Sequence, residues 1–428
     1  MTATQDPTGK LGPESWITAP ETVRLMNALK INDADVRFVG GCVRDAIAKR
    51  PVKDIDIATP DAPEKVIELL RAADIRSAPT GIEHGTITAI CGDRTFEITT
   101  LRKDVETFGR RAVVAFTDDW IVDSSRRDFT INALSANTDG DVYDYHNGIK
   151  DLAHGQIRFI GNAEDRVAED YLRILRYFRF YGHYGRPPID QNAFLACRKY
   201  AEKLSEISVE RIRDEILKIV MAPDAADVFL LMREAHVLDV ILPNATEIGR
   251  LRAASWLATR GLVIDGMKPD PIRRLGAVLD PESDVSMMSS RLRLSNRESY
   301  RLSKMAELAP SLDKPLDEAA TRKLIHSQGA ESIQDATILA WASRLAEVAR
   351  LPAEETAARL QQLEMAFSWH APELPISGSD AQAMGLLRGP KIGRVLRAVE
   401  NWWSDGDFKA DRDACLAKLK TEIDKLTE

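Results

Sequence analysis

The chain has 428 residues, more than one hydrophobic core sustains, so two to four domains are expected. It is 44% hydrophobic and 29% charged, as soluble globular proteins are, and no apolar run approaches the ~18–20 residues of a membrane span. The net charge of −8 argues against a wholesale nucleic-acid coat while leaving room for a local basic channel, and four scattered cysteines in no CxxC or metal-ligand spacing argue against a disulfide frame and for a reduced, cytoplasmic setting.

The polar residues 1–19 are expected as a flexible N-terminal tail with no apolar signal core. Residues 20–160 mix strand and helix signals. Glu21 to Leu29 has helical spacing, and Val36 to Val39 is an apolar run ending in Gly40-Gly41, with a helix starting near Val43. Asp54 to Ala58 alternates as a strand. Asp61 to Ala73 reads as a helix, with Asp61 as N-cap and Pro63 in its first turn. Thr86 to Cys91 and Thr95 to Leu101 are β-rich around Gly92-Asp93, a hairpin signal. Leu101 to Trp120, charged around Gly109-Arg110-Arg111, breaks the strand pattern and reads as a mobile loop. Thr130 to Ala136 fits helix or strand.

From residue 161 helical periodicity takes over. Helices are expected at Asp165 to Tyr184, Gln191 to Leu204, Val209 to Met221 and Asp224 to Ala235, with Ser208 and Asp224 as N-caps. Further helices fill 226–350, Leu351-Pro352 marks a joint, and 351–428 is helical again.

The chemistry concentrates in KDIDIAT. A strand has period two, so Asp54 and Asp56 share one face while Ile55 and Ile57 pack behind. Two carboxylates so close need a cation, and Mg2+, hard and oxygen-seeking, is the usual one. Glu97, a lone acid in the apolar strand TFEIT, is the candidate third carboxylate. A few residues upstream, VGGCVRD sits at a strand-to-helix junction. Glycines there, Gly41 among them, let a backbone approach a triphosphate, and Arg44 adds a forked donor. DxD alone fits a solvated strand face equally well; the order Gly-Gly-Arg then DxD is far more specific.

These blocks, with RRDFTINA (126–133), EDYLRILR (169–176) and Glu210-Arg211-Ile212, resemble the class II tRNA nucleotidyltransferases that add CCA, with bacterial poly(A) polymerases as close relatives. The resemblance is strong over residues 20–225. It implies an α+β protein: a catalytic nucleotidyltransferase head of mixed β-sheet and helices (20–160), then an elongated all-α neck (161–225), body (226–350) and tail (351–428). It also implies Mg2+, CTP and ATP as substrates, the 3′ end of tRNA as partner, and no nucleic-acid template. Asp54 and Asp56 are the implied metal ligands, and Glu97 the third catalytic acid. Arg127 and Asp128 are expected to face the nucleotide, Asp128 accepting from a ribose 2′-hydroxyl, with Asn132 as a second contact.

On one helix, Asp170 and Arg173 at i and i+3 share a face and offer an acceptor beside a forked donor, supported by Glu169 and Arg176. Cytosine and adenine both present an amine beside a ring-nitrogen acceptor, whereas uracil and guanine present the reverse, so such a pair selects C and A. The family uses a flexible loop at 102–120 to change specificity; an inert surface loop is the alternative. In the tail, Lys391 and Arg394 beside glycines at a helix start are expected to contact the tRNA backbone. No membrane and no obligate protein partner are expected. The rival readings are an A-adding or CC-adding relative and, less well supported, a non-catalytic RNA-binding protein. The absence of a His-Asp dipeptide leaves a phosphohydrolase site without support.

Overall fold

The computed structural model describes residues 6–31, 34–108, 111–348 and 350–426, with 104–108 and 111–114 described by backbone alone. The chain divides into two compact units, Met1–Pro243 and Asn244–Glu428. Among the described residues no helix is long and apolar enough to cross a membrane.

The first unit opens on β1 (Gly9–Lys10), α1 (Ser15–Thr18) and α2 (Pro20–Leu29), followed by β2 (Arg37–Val39), α3 (Gly41–Ile47), β3 (Asp56–Thr59), α4 (Pro63–Ala72), β4 (Arg76–Gly81), β5 (Thr86–Cys91) and β6 (Arg94–Thr100). Then come β7 (Arg102–Phe108), β8 (Arg111–Phe116), α5 (Trp120–Ser125), β9 (Ser135–Ala136), β10 (Asp141–Tyr143) and α6 (Gly148–His154). Eight strands form one mixed sheet in the order β1-β10-β9-β2-β3-β6-β5-β4, in which only β3 and β6 run parallel. Alternation builds it: Ile87, Ala89 and Cys91 of β5 and Phe96, Ile98 and Thr100 of β6 point inward, and Gly92-Asp93 makes the two-residue turn, with Gly92 at φ 61°. Leu25, Met26 and Leu29 of α2 and Val66 and Leu70 of α4 cover the sheet.

Three expectations are corrected here. The supposed tail is structured from residue 9, because β1 pairs with β10 and Trp16 packs edge-on to Phe38 at 4.8 Å. Residues 102–116 form a separate β-hairpin of β7 and β8 rather than a loop; the residues at its turn, Gly109 and Arg110, lie outside the described residues. Asp61 does not cap α4, whose N-cap is Ala62, although Pro63 holds the first helical position as expected. The segment 130–136, open between helix and strand, is a 3₁₀ turn (Thr130–Asn132) leading into β9.

The same unit continues through α7 (Ala163–Glu169), α8 (Leu172–Tyr184), α9 (Gln191–Lys199), α10 (Val209–Ile219), α11 (Ala225–Glu234) and α12 (Val237–Ile241). The expected break at 160/161 is bridged by an aromatic core. Phe129 lies 4.8 Å from Phe159 and 5.2 Å from Phe180, and Phe159 stacks on Tyr177 at 5.9 Å. Each fully buried ring of this kind stabilises the fold by roughly 1.5–3 kcal/mol. The division expected at 225/226 also falls inside the unit, since α11 packs on α8. Gly182 permits that approach: a Cβ there would stand 2.8 Å from Ala222 and from Val228.

The second unit is wholly helical among its described residues: α13 (Ile248–Trp256), α14 (Pro271–Val278), α15 (Val285–Arg291), α16 (Asn296–Leu308), α17 (Glu318–Gln328), α18 (Ala330–Glu347), α19 (Ala353–Ser368), α20 (Gly378–Ala383), α21 (Pro390–Asp405) and α22 (Arg412–Asp424). Helix α18 is buried from Ser332 to Ala342 except at Gln334, with α13, α16 and α19 packed around it. Asp335, 1% exposed, sits on this helix and accepts from Arg273 Nε at 2.8 Å and Arg301 Nη2 at 2.8 Å. Arg273 and its neighbour Arg274 are core residues, 6% and 3% exposed. Trp403 is core, while Trp402 is 37% exposed.

Candidate active site

The site is built where the sheet meets α3 and α8. Gly40, at φ 69°, ends β2 and turns the chain directly into α3. Only glycine takes that conformation without strain, and a Cβ here would press to 3.0 Å from Arg127 Nη1. Gly41 opens α3, and Arg44, 9% exposed, lies one turn further on.

Asp56 is the first residue of β3 and stands opposite Glu97 in the parallel register with β6. Asp54 lies two residues before the strand and is exposed, as is Glu97. Burial raises the Asp56 pKa, and Glu97 and Asp54 raise it further; Arg127 and Arg44 oppose them. Among the described residues no three acid, His or Cys side chains are drawn together as a closed metal shell. The donor set nonetheless fits Mg2+: it is all oxygen and only partly neutralised, and Mg2+ characteristically takes one or two carboxylates, substrate phosphates and retained water. The Cys42 thiol beside Asp56 adds nothing reactive, since burial pushes its pKa up to about 12.

Next to these acids opens a cavity of about 450 Å³. All eight residues proposed from sequence to bind nucleotide line it: Gly41, Arg44, Arg127, Asp128, Asn132, Asp170, Arg173 and Arg176. Asp54, Asp56 and Glu97 are outside the lining, and Asp56 is electrostatically tied to it through Arg127 and Arg44. Lys391 and Arg394 are exposed in the first turns of α21, in the second unit.

A hydrogen-bond relay crosses the cavity floor. Arg44 Nη1 donates to Asn132 Oδ1 at 2.7 Å, and Asn132 Nδ2 donates to Asp128 Oδ1 at 3.0 Å. Asp128 Oδ2 then accepts from Arg176 Nε at 2.7 Å and from Arg176 Nη2. The Phe129 amide also donates to Oδ1. Burial raises the Asp128 pKa, but Arg176, Asn132 and the Phe129 amide outweigh it and hold the carboxyl below its ordinary value. With four donors on two oxygens its acceptor sites are filled, so Asp128 orients Arg176 and Asn132 rather than standing free for a ribose hydroxyl.

The expected Asp170–Arg173 pair also takes a different form. The segment is not one helix: Asp170 is extended (φ −152°, ψ 107°) and ends α7. Its Oδ1 accepts from the Leu172 amide at 3.1 Å and its Oδ2 from Arg211 Nη2 at 2.7 Å. Arg173 Nη1 donates instead to Glu169 Oε2 at 2.5 Å. The two residues thus line the cavity from separate anchors, Asp170 presenting acceptor edges and Arg173 keeping Nε and Nη2 without a partner among the described residues.

Sequence reasoning gave no site role to Arg126 and Phe180, which also line the cavity, with Gly40 and Arg211 beside them. Arg211 belongs to the Glu210-Arg211-Ile212 block at the start of α10. Sequence reasoning also missed Asp123, 2% exposed, which anchors Arg126 (2.8 Å) and Arg127 (3.4 Å); the i, i+3 and i, i+4 spacing was the available signal.

Known proteins resemble this chain along most of its length. The family model for the poly A polymerase head domain matches residues 36–158, and that for the probable RNA and SrmB-binding site of polymerase A matches 188–248. The mitochondrial CCA tRNA nucleotidyltransferase 1 of Danio rerio is 33% identical over 401 residues, covering 93% of this chain and 90% of the relative. The protein of the same name from Homo sapiens is 34% identical over 391 residues, covering 90% and 86%. The crystal structure of the Bacillus stearothermophilus CCA-adding enzyme in complex with CTP is similar with a TM-score of 0.75 at 25% identity, over 95% of this chain and 98% of that one. With relatives of this identity matched nearly end to end, the chain belongs to the CCA tRNA nucleotidyltransferase family.

Proposed function

We propose that this protein builds or repairs the 3′-terminal CCA of tRNA from CTP and ATP, without a nucleic-acid template. One observation carries the reading: eight polar and glycine residues from distant parts of the sequence converge on one cavity, beside an acid face at the start of β3.

Asp54 and Asp56 would hold Mg2+, with Glu97 across the strand pair helping to activate the RNA 3′-hydroxyl. When bound, Mg2+ supplies charge neutralisation for the triphosphate and makes the attacking hydroxyl more acidic. The Gly40-Gly41 turn leaves room for a phosphate at the start of α3, and Arg44 and Arg127 give the cavity positive charge. At the other end Asp170 accepts from the exocyclic amine of C or A while Arg173 donates to the adjacent ring nitrogen. Uracil and guanine would set a carbonyl against Asp170 and an N–H against Arg173, leaving both unpaired. A buried site of that kind rejects the wrong partner by up to about 10⁴–10⁵. Arg176 and Asn132, held by Asp128, fix the middle of the cavity. Lys391 and Arg394 serve the tRNA backbone. Four buried free cysteines fit a reducing, cytoplasmic compartment.

The test is incubation with tRNA ending before CCA, with CTP alone, ATP alone, and both. Complete CCA only with both nucleotides supports the proposal. A long A tail on generic RNA would overturn it in favour of a poly(A) polymerase.

A further inference from the structure

Arg166 and Glu169 lie on α7 outside the cavity lining, yet they join its two sides. Arg166 Nη2 donates to the main-chain oxygens of Arg126 and Arg127, each at 2.6 Å. Its Nη1 donates to Glu169 Oε2 at 2.6 Å, and that same oxygen accepts from Arg173 Nη1 at 2.5 Å. Arg173 Nη1 also donates to the main-chain oxygen of Arg166 at 2.7 Å. A continuous path therefore runs from the Arg173 guanidinium to the backbone that aims Arg126 and Arg127.

This is a poor arrangement for stability alone. Two guanidinium groups share one carboxylate oxygen, and the Arg166 side chain is only 12% exposed. Its buried Nε has no hydrogen-bond partner among the described residues. Such an orphaned donor is retained where geometry is worth its cost. Only a planar guanidinium reaches two carbonyls and a carboxylate at once; a lysine ammonium of equal charge lacks that fork.

We propose that Arg166 is a positioning residue for base selection: it fixes Arg173 relative to the Arg126–Arg127 backbone, so discrimination depends on a side chain that does not line the cavity. The inference rests on the cavity being the nucleotide pocket. Hydrogen bonds weaken steeply with angle, so a small swing of Arg173 blurs the distinction between a ring nitrogen and an N–H.

The experiment uses the full chain, wild type and the variants Arg166→Lys, Arg166→Ala and Glu169→Gln. Each is given tRNA ending before CCA and one of the four nucleotides, and thermal unfolding is recorded alongside. A wild type that adds no nucleotide would sink the pocket reading itself, before any variant is considered. With an active wild type, Arg166→Ala is expected to raise kcat/KM for UTP relative to CTP by about tenfold, with Arg166→Lys intermediate. Combining Arg166→Ala with Glu169→Gln should lose no more discrimination than the worse single change, because both cut one path. Should the alanine variant fail to fold, the charge-preserving lysine variant carries the test. Unchanged discrimination in folded Arg166→Lys, or an equal loss with all four nucleotides, overturns the proposal.

Discussion

Arg211, on α10, grips Asp170 through Nη2 and Oδ2 at 2.7 Å, across 41 positions of sequence. The pair fixes an acceptor that a helical register could not have placed, because Asp170 lies at the break between α7 and α8. Substituting Arg211→Met is expected to lower kcat/KM for CTP and ATP by about 10–100-fold, the loss of one charge-assisted bond. Arg173→Ala should instead relax the choice of C and A over U and G. Single-nucleotide addition assays separate the two, and unchanged selectivity in Arg173→Ala would refute its role at the base.

Asp56 carries repulsion as well as chemistry. Its pKa is raised by burial, then by Glu97 and Asp54. A carboxyl with a raised folded pKa favours the fold below that pKa and loses this contribution as pH rises through it. Neutral Asp56→Asn is therefore expected to unfold at the same or a higher temperature, by up to about 1 kcal/mol. Turnover should drop by about a thousandfold or more. Calorimetry beside an addition assay checks both; a folded variant with near-normal turnover would remove Asp56 from the metal site.

Asp128 behaves in the opposite sense. Its folded pKa lies below the ordinary value of about 3.9, because Arg176 and Asn132 outweigh burial. Its stabilisation is present above the unfolded pKa and is lost as pH falls through the lower, folded one. Asp128→Asn should cost about 2 kcal/mol at neutral pH and flatten the acid limb of stability. Urea unfolding between pH 3 and 7 measures both effects.

In the second unit, Asp335 neutralises Arg273 and Arg301 inside a helical core. Asp335→Ala leaves buried guanidinium charge unpaired and is expected to cost about 3–5 kcal/mol. Replacing all three with apolar residues of similar volume should recover much of that loss. Denaturant midpoints of the single and triple variants decide the matter.

What could be read from sequence were the local devices. The alternation of Thr86–Cys91, the Gly92-Asp93 turn and the Gly40-Gly41 junction each depend on neighbours within a few residues, whereas the strand expected from Asp54 begins only at Asp56. Asp170 shows where that stops. Spacing put it on one helix with Arg173, but the extended backbone at 170 reassigns both partners, to Arg211 and Glu169. The β1 strand is two residues long, too short to show a period, and is defined by its partner β10. The burial of Arg273 has no local signal because its counter-ion lies 62 positions away. Apolar lining residues such as Phe180 carry no polar group that would mark them as part of a site.

Helix α8 has one further consequence. Arg173 lines the proposed base end, Arg176 clamps Asp128, and Tyr184 both hydrogen-bonds Asp45 at 2.6 Å and lies 4.4 Å beneath the Arg44 guanidinium. These positions lie along a single rod about 16 Å long, at 1.5 Å per residue. A rod cannot yield at one mark without moving the others. On the proposed reading α8 acts as a gauge: a nucleotide seated at the wrong height for Arg173 is also out of register with the relay and with the phosphate-side arginine, so one mismatch is felt along the whole substrate.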